Sequence, residues 1–397
     1  MNDRELSFMG ASLLWFGAAV SIAEILTGAL LAPLGFVKGM ATNIGGHLIG
    51  CTLLYLAGLI GAKSKSSAME TVRFSFGRGG SIFFSILNIL QLIGWTAIMI
   101  ISASRALDAA TSSIWGGHHA FLWCLFIGAL IILWILTGIK NVSKLNVFAV
   151  GSLFILTVML GTVVFRGEGV GVPGNAISFG MAMELSIAMP LSWLPLISDY
   201  TKNTNKPVVF TFFSTLSYFI GSTFMYAIGL GAAIFTGNSD IVQILTEAGL
   251  GMAAVLIVIL STVTTTYLDV YSVGESALNI NPKLNGKMIS VAACVIGTLI
   301  AMFVPIEQYE NFLYLIGSVF VPMIVILMTD YFILNKKNEK LGFDRVNFTL
   351  WLAGFTMYRV YLLLDMPIGS TLPVIFSVSL LCVAVHVIRE RALFRGF

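Results

Sequence analysis

Apolar runs long enough to cross a membrane follow one another from Leu13 to Ile388, separated only by short polar breaks. A hydrocarbon core ~30 Å thick needs about 20 residues of helix to span it. In lipid every backbone N–H and C=O must be satisfied by the chain itself, which leaves helices or a closed barrel. The runs are continuous and do not alternate, so the fold class is all-α integral membrane. Composition agrees, with 57% hydrophobic and 10% charged residues among 397, where soluble domains carry roughly 25% charged. No stretch is left for a sizeable soluble domain. The polar start, Met1 to Ser7, leads straight into a full-length span and does not read as a cleavable signal. Cys51, Cys124, Cys294 and Cys382 all lie inside apolar runs without paired spacing, as buried thiols do, and not as disulfides or metal ligands.

Apolar runs and polar breaks place twelve spans, near 12–33, 41–62, 80–108, 119–139, 145–165, 177–198, 208–236, 250–278, 287–304, 310–334, 346–364 and 370–388. With the N-terminus inside, 18 of the 22 Lys and Arg residues fall in cytoplasmic segments, leaving Lys38, Arg105, Arg166 and Arg359 on the other side. That asymmetry follows the positive-inside rule, so both termini are expected in the cytoplasm and the chain in the plasma membrane. The net charge of +3 then reflects orientation. No basic, aromatic-interleaved surface suggests nucleic acid, and no obligate protein partner is evident. The lipid bilayer is the expected environment, and a small molecule the expected partner.

Two spans are unlike lipid-facing helices. The first, WFGAAVSIAEILTGALLAPLG, places Gly17, Ser21, Glu24, Thr27, Gly28 and Pro33 in one crossing. The sixth, MELSIAMPLSWLPLISDY, carries Glu184, Pro190, Ser192, Pro195 and Asp199. Gly/Pro-interrupted spans at matching places in two halves mark inverted repeats whose broken helices meet at a midplane site. The expectation is a single transporter domain: repeat one about 12–165, repeat two about 177–334, and accessory helices about 346–388. This is a 5+5 inverted-repeat core with helices 1 and 6 broken.

Glu24 lies twelve residues into the first span, which at ~1.5 Å per residue is close to mid-bilayer. An ionisable group there costs about 2.5 kcal/mol or more on insertion scales, so it needs a cavity, a proton or a partner. Binding or coupling is one reading; a protonated interhelical contact is the other. The eighth span contains STVTTTYLDVYS, in which Ser261, Thr265 and Asp269 form one stripe beside Thr262 and Thr264. Hydroxyls with carbonyls freed by a broken helix could hold sodium, although Thr in such helices also bonds its own i−4 carbonyl. The third span carries Asn88, Gln91, Trp95 and Thr96. A mid-membrane indole such as Trp95, or Trp193 in the sixth span, suits stacking on a flat ring and equally suits helix packing. His47 could line a polar path or make an interhelical contact. An ion channel would need a continuous polar pore, whereas these residues cluster at mid-depth. Hydrolase signatures, phosphate-cradling loops and metal-ligand spacings are absent, which argues against an enzyme.

Five segments together resemble the nucleobase:cation symporter-1 family over nearly the whole chain. They are IGAKSKSSAMETVRFSFGRGGS, QLIGW, PLSWLPLISDYTK, the hydroxyl cluster of span eight, and VPMIVILMTDYFI. Within the family, the first span is similar to the branch assigned to hydroxymethylpyrimidine, the thiamin precursor. The resemblance implies a LeuT-like fold, no cofactor, and uptake by alternating access driven by Na+ or, in some members, H+. It also implies that Trp95 stacks on the ring and that Glu24 is a polar substrate-binding position. With Gln91, Trp193 and Asp269, taken from the residues themselves, these make the expected substrate set. The family's aromatic on the sixth span has no clean match in Trp193, which lies too close to Asp199. Sodium would take the carbonyls of Val20 and Ala23 and the hydroxyls of Thr264 and Thr265, with Ser261 and Thr262 as a second register. Met99 stands where relatives carry glutamine. Cytosine, a purine or a hydantoin are the alternative cargoes on the same fold.

Overall fold

The computed structural model describes residues 8–115, 117–137, 151–152, 154–155, 157–166, 177–237, 251–304, 309–336 and 341–394. These residues form helices, with no strand among them. The first span is a bent pair, α1 (Phe8–Ala19) and α2 (Ile22–Leu30), which together with the turn Ala32–Leu34 bends by 50°. There follow α3 (Phe36–Ser64), the short α4 (Ala68–Thr71), α5 (Arg73–Trp115) and α6 (Ala120–Thr137). The second half contains α7 (Phe179–Ser192), α8 (Ile197–Thr201), α9 (Pro207–Gly231), α10 (Gly251–Ile280), α11 (Gly286–Phe303) and α12 (Tyr309–Met328). Helices α13 (Arg345–Leu363) and α14 (Thr371–Phe394) come last. Of the fifth expected span, 145–165, residues 145–150, 153 and 156 lie outside the described residues; 157–164 is helical.

Seven described helices are individually long and apolar enough to cross a bilayer, and the bent first pair makes an eighth crossing. Their burial sorts them into layers. The most apolar stretch of the α12 span is 83% buried and that of α14 only 22%, which puts α12 at the centre and α14 at the lipid edge. Phe376, Leu380 and Ile388 of α14 and Phe121, Leu122 and Leu125 of α6 are exposed, as apolar side chains facing acyl chains must be.

The segment between spans two and three is shaped by its own sequence. Ser67 and Glu70 form a capping box at the start of α4, each side chain holding the other's backbone N–H. Gly77 then takes φ 69°, a left-handed turn that L side chains rarely adopt. The turn leaves Arg78 and Gly79 N–H free to donate to the carbonyls of Leu341 (3.0 Å) and Gly342 (2.7 Å). Asp344 N–H returns a bond to Phe76 O at 3.1 Å, so the glycine-rich segment docks the start of α13.

Candidate functional site

The break in the first span is made at Val20 and Ser21. Ser21 is extended (φ −135°, ψ 158°), and its hydroxyl accepts the Glu24 N–H at 3.4 Å, capping α2. The last carbonyls of α1 thereby lose their partners four residues on. Two of them turn to α10. Ser261 Oγ donates to Val20 O at 2.7 Å and Thr265 Oγ1 to Gly17 O at 3.4 Å. Thr264 Oγ1 instead donates to Leu260 O at 2.9 Å within its own helix. Ala23 O accepts Thr27 Oγ1 at 2.7 Å and Tyr309 OH at 3.4 Å. The structure therefore brings Val20 and Thr265 to the α1–α10 contact in company with Gly17 and Ser261, and leaves Thr264 and Ala23 outside that set.

The sixth span is interrupted at Trp193–Leu196, between α7 and α8, around Pro190 and Pro195. The third span repairs this break. Gln91 Nε2 donates to Ser192 O at 3.1 Å and Asn88 Nδ2 to Pro195 O at 3.0 Å. Gln91 thus holds the broken helix and is not among the residues that line the cavity described next.

The two breaks face one narrow cavity; the space free of protein atoms there, including its open mouth, is about 340 Å³. Glu24, Trp95, Trp193, Thr265 and Asp269 all line it, as do Ser21, Met99, Met189 and Ser192. No Lys or Arg does. The described ion pairs, His118–Asp108, Lys202–Glu275 and Lys336–Asp330, lie elsewhere.

The two cavity carboxyls differ in kind. Glu24 is 1% exposed, with Tyr218 OH 2.7 Å from Oε1 and Ser222 Oγ 2.7 Å from Oε2. Asp269 is 4% exposed and has no hydrogen-bond or ion-pair partner among the described residues. The indoles also differ. Trp193 is set edge-to-face against Trp15 and Tyr218, and Trp95 against Tyr309 and Phe312; the Trp95 Nε1–H finds no partner. Sequence reasoning missed Tyr218 and Ser222 of α9. They stand at i, i+4 on a helix that also carries Thr211, Ser214, Thr215, Ser217, Thr223 and Tyr226, so the sequence does not single them out. Among the described residues, no group of three or more His, Cys, Asp or Glu could hold a metal ion.

Residues 2–346 match the family described as permeases for cytosine/purines, uracil, thiamine and allantoin. The chain is 25% identical over 323 residues to the cytosine permease of Escherichia coli strain K12, covering 79% of this chain and 74% of that one. Its fold matches that of Mhp1, a nucleobase-cation-symport-1 family transporter closed around bromovinylhydantoin. The TM-score is 0.83 at 18% identity, over 99% of this chain and 94% of Mhp1. A Na+-coupled sialic acid symporter in a substrate-bound, outward-open state shares the fold at TM-score 0.69 and 14% identity, over 94% of this chain and 88% of that one. With two broken helices facing a common cavity and the family match spanning most of its length, this multi-pass chain belongs to the cytosine/purine, uracil, thiamine and allantoin permeases, the nucleobase:cation symporters of LeuT-like fold.

Proposed function

We propose that the protein imports a flat, neutral or cationic aminopyrimidine, of which hydroxymethylpyrimidine is the leading candidate, across the plasma membrane with both termini in the cytoplasm. The observation that carries this reading is the cavity's chemistry: two carboxyls and two indoles, with no Lys or Arg. Carboxyls accept from ring and amino N–H groups, and a carboxylate beside an amidine-like edge can take two parallel bonds. Aromatic faces take the ring. An anionic cargo would meet like charge with no cation to offset it. Glu24 spends one contact per oxygen on α9, so lone pairs remain for a ligand; Asp269 has its whole carboxyl available.

A coupling cation, sodium or a proton, drives the cycle in this reading. Sodium fits the four oxygens of Gly17, Val20, Ser261 and Thr265, because carbonyl and hydroxyl ligands suit a hard cation. Uptake of radiolabelled hydroxymethylpyrimidine into proteoliposomes, with and without a sodium gradient, tests the proposal. Cytosine and other aminopyrimidines should compete, whereas an anionic pyrimidine carboxylate should not. Equal competition by the anion, or uptake into the vesicles without accumulation, overturns it.

A further inference from the structure

Behind Glu24, away from the cavity, two polar side chains stand in line. Ser222 Oγ lies 2.7 Å from Glu24 Oε2 and 2.5 Å from His47 Nε2. His47 Nδ1 lies 2.8 Å from the Asn43 carbonyl oxygen. A carbonyl can only accept, so Nδ1 carries a hydrogen. The two contacts at Ser222 Oγ then need two hydrogens, and the serine hydroxyl supplies one. The second must sit on Glu24 Oε2 or on His47 Nε2. Any assignment without it sets two acceptors face to face at hydrogen-bond distance in a site where both Glu24 and His47 are buried.

Charge accounting at Glu24 agrees. The ionisable groups around Glu24 are His47 and Cys51 on α3, Tyr218 and Tyr226 on α9, Tyr309 at the start of α12, and Asp269 across the cavity. His47 is the one member of this set that can be a cation at neutral pH. A buried carboxylate without a cation is costly, so Glu24 and His47 together keep one proton, and Asp269 by the same argument keeps its own.

We propose that Glu24, Ser222 and His47 form a proton-holding chain that stores one proton and shifts it between two ends. In one arrangement Glu24 is the acid: Oε2–H donates to Ser222 Oγ, and Ser222 donates to His47 Nε2. In the other, Glu24 passes its proton to Ser222 as Ser222 passes its own to His47, giving a carboxylate and an imidazolium with no net change in charge. The first presents a neutral acid to the cavity, the second a carboxylate. A ligand bearing N–H donors favours the second, and the chain provides it without a proton from solvent. This consequence rests on the cavity being the substrate site; the proton count does not.

Infrared spectroscopy of the ligand-free protein, combined with nitrogen-15 NMR of histidine, tests the count at neutral pH. The expected result is either a carboxylic-acid band that disappears in Glu24→Gln or an imidazolium at His47. An ionised Glu24 beside a neutral His47 overturns the proposal, whatever the protein transports. Calorimetry in two buffers of different ionisation enthalpy then tests the shift, with hydroxymethylpyrimidine as ligand. Parent protein should exchange almost no protons on binding, while Ser222→Ala and His47→Gln should exchange close to one proton per ligand. Equal proton exchange in the parent and in a variant that binds overturns the shift.

Discussion

At the scale of single residues, position relative to each break decides what a polar group is free to do. Asp269 faces the cavity without a protein partner, so its contribution falls on the ligand. Asp269→Asn should leave the fold intact and weaken aminopyrimidine binding by about 0.5–1.5 kcal/mol, the net worth of a hydrogen bond between neutral groups. Titration of purified protein with ligand checks this, and an unchanged affinity removes Asp269 from the site. The same logic separates the hydroxyls of α10. Ser261→Ala and Thr265→Val should each reduce sodium dependence of uptake, whereas Thr264→Val, whose hydroxyl is spent on Leu260 O, should not. Glu24, Trp95, Trp193 and Asp269, which stand out in the sequence because a charge or an indole in mid-membrane is anomalous, all line the cavity. Gln91 bonds Ser192 O instead: a broken helix exposes carbonyls that need donors, and a neighbouring amide satisfies them as naturally as it satisfies a ligand.

At the scale of helices, two glycines set how closely α2 and α9 approach. A Cβ at Gly28 would meet the backbone of Tyr226, with Cα at 2.6 Å; one at Gly229 would meet the backbone of Ile25 and Ala29, with Ala29 N at 3.0 Å. Small residues at such a crossing are what allow helix backbones to touch in a membrane. This crossing fixes Tyr218 and Ser222 relative to Glu24. Gly28→Ala should therefore destabilise the protein by about 1–3 kcal/mol, as overpacking does. It should also lower ligand affinity, read as a drop in thermal unfolding temperature and in the gain that ligand confers. Loss of stability with affinity intact would sever the crossing from the site. The break in span one was readable from Gly17, Ser21 and Pro33. The pairing of α2 with α9 was not, because glycines mark a close approach without naming the partner.

At the scale of the whole molecule, contacts between distant loops agree on sidedness. Ser178, before α7, bonds Asp365, after α13, and Phe76 bonds Asp344. Each pair joins segments that the alternation of twelve spans puts on the same face. Lys63 and Pro367 are exposed on opposite faces in this scheme. Single cysteines at these positions, in a background lacking the four native thiols, should label oppositely with an impermeant reagent on intact cells. Labelling of the Lys63 position from outside would invert the topology. The all-helical class was legible because lipid admits so few solutions; how the accessory helices dock was not. That docking centres on Glu184 of α7, fully buried, which accepts from Tyr358 OH at 2.5 Å, Thr371 Oγ1 at 2.6 Å and Thr371 N–H at 2.8 Å. The lipid-facing hairpin of α13 and α14 is thereby fastened to the helix whose far end, Ser192 and Trp193, lines the cavity. A mismatch between membrane thickness and this hairpin, which helices accommodate in part by tilting, therefore has a mechanical route to the cavity through one buried glutamate.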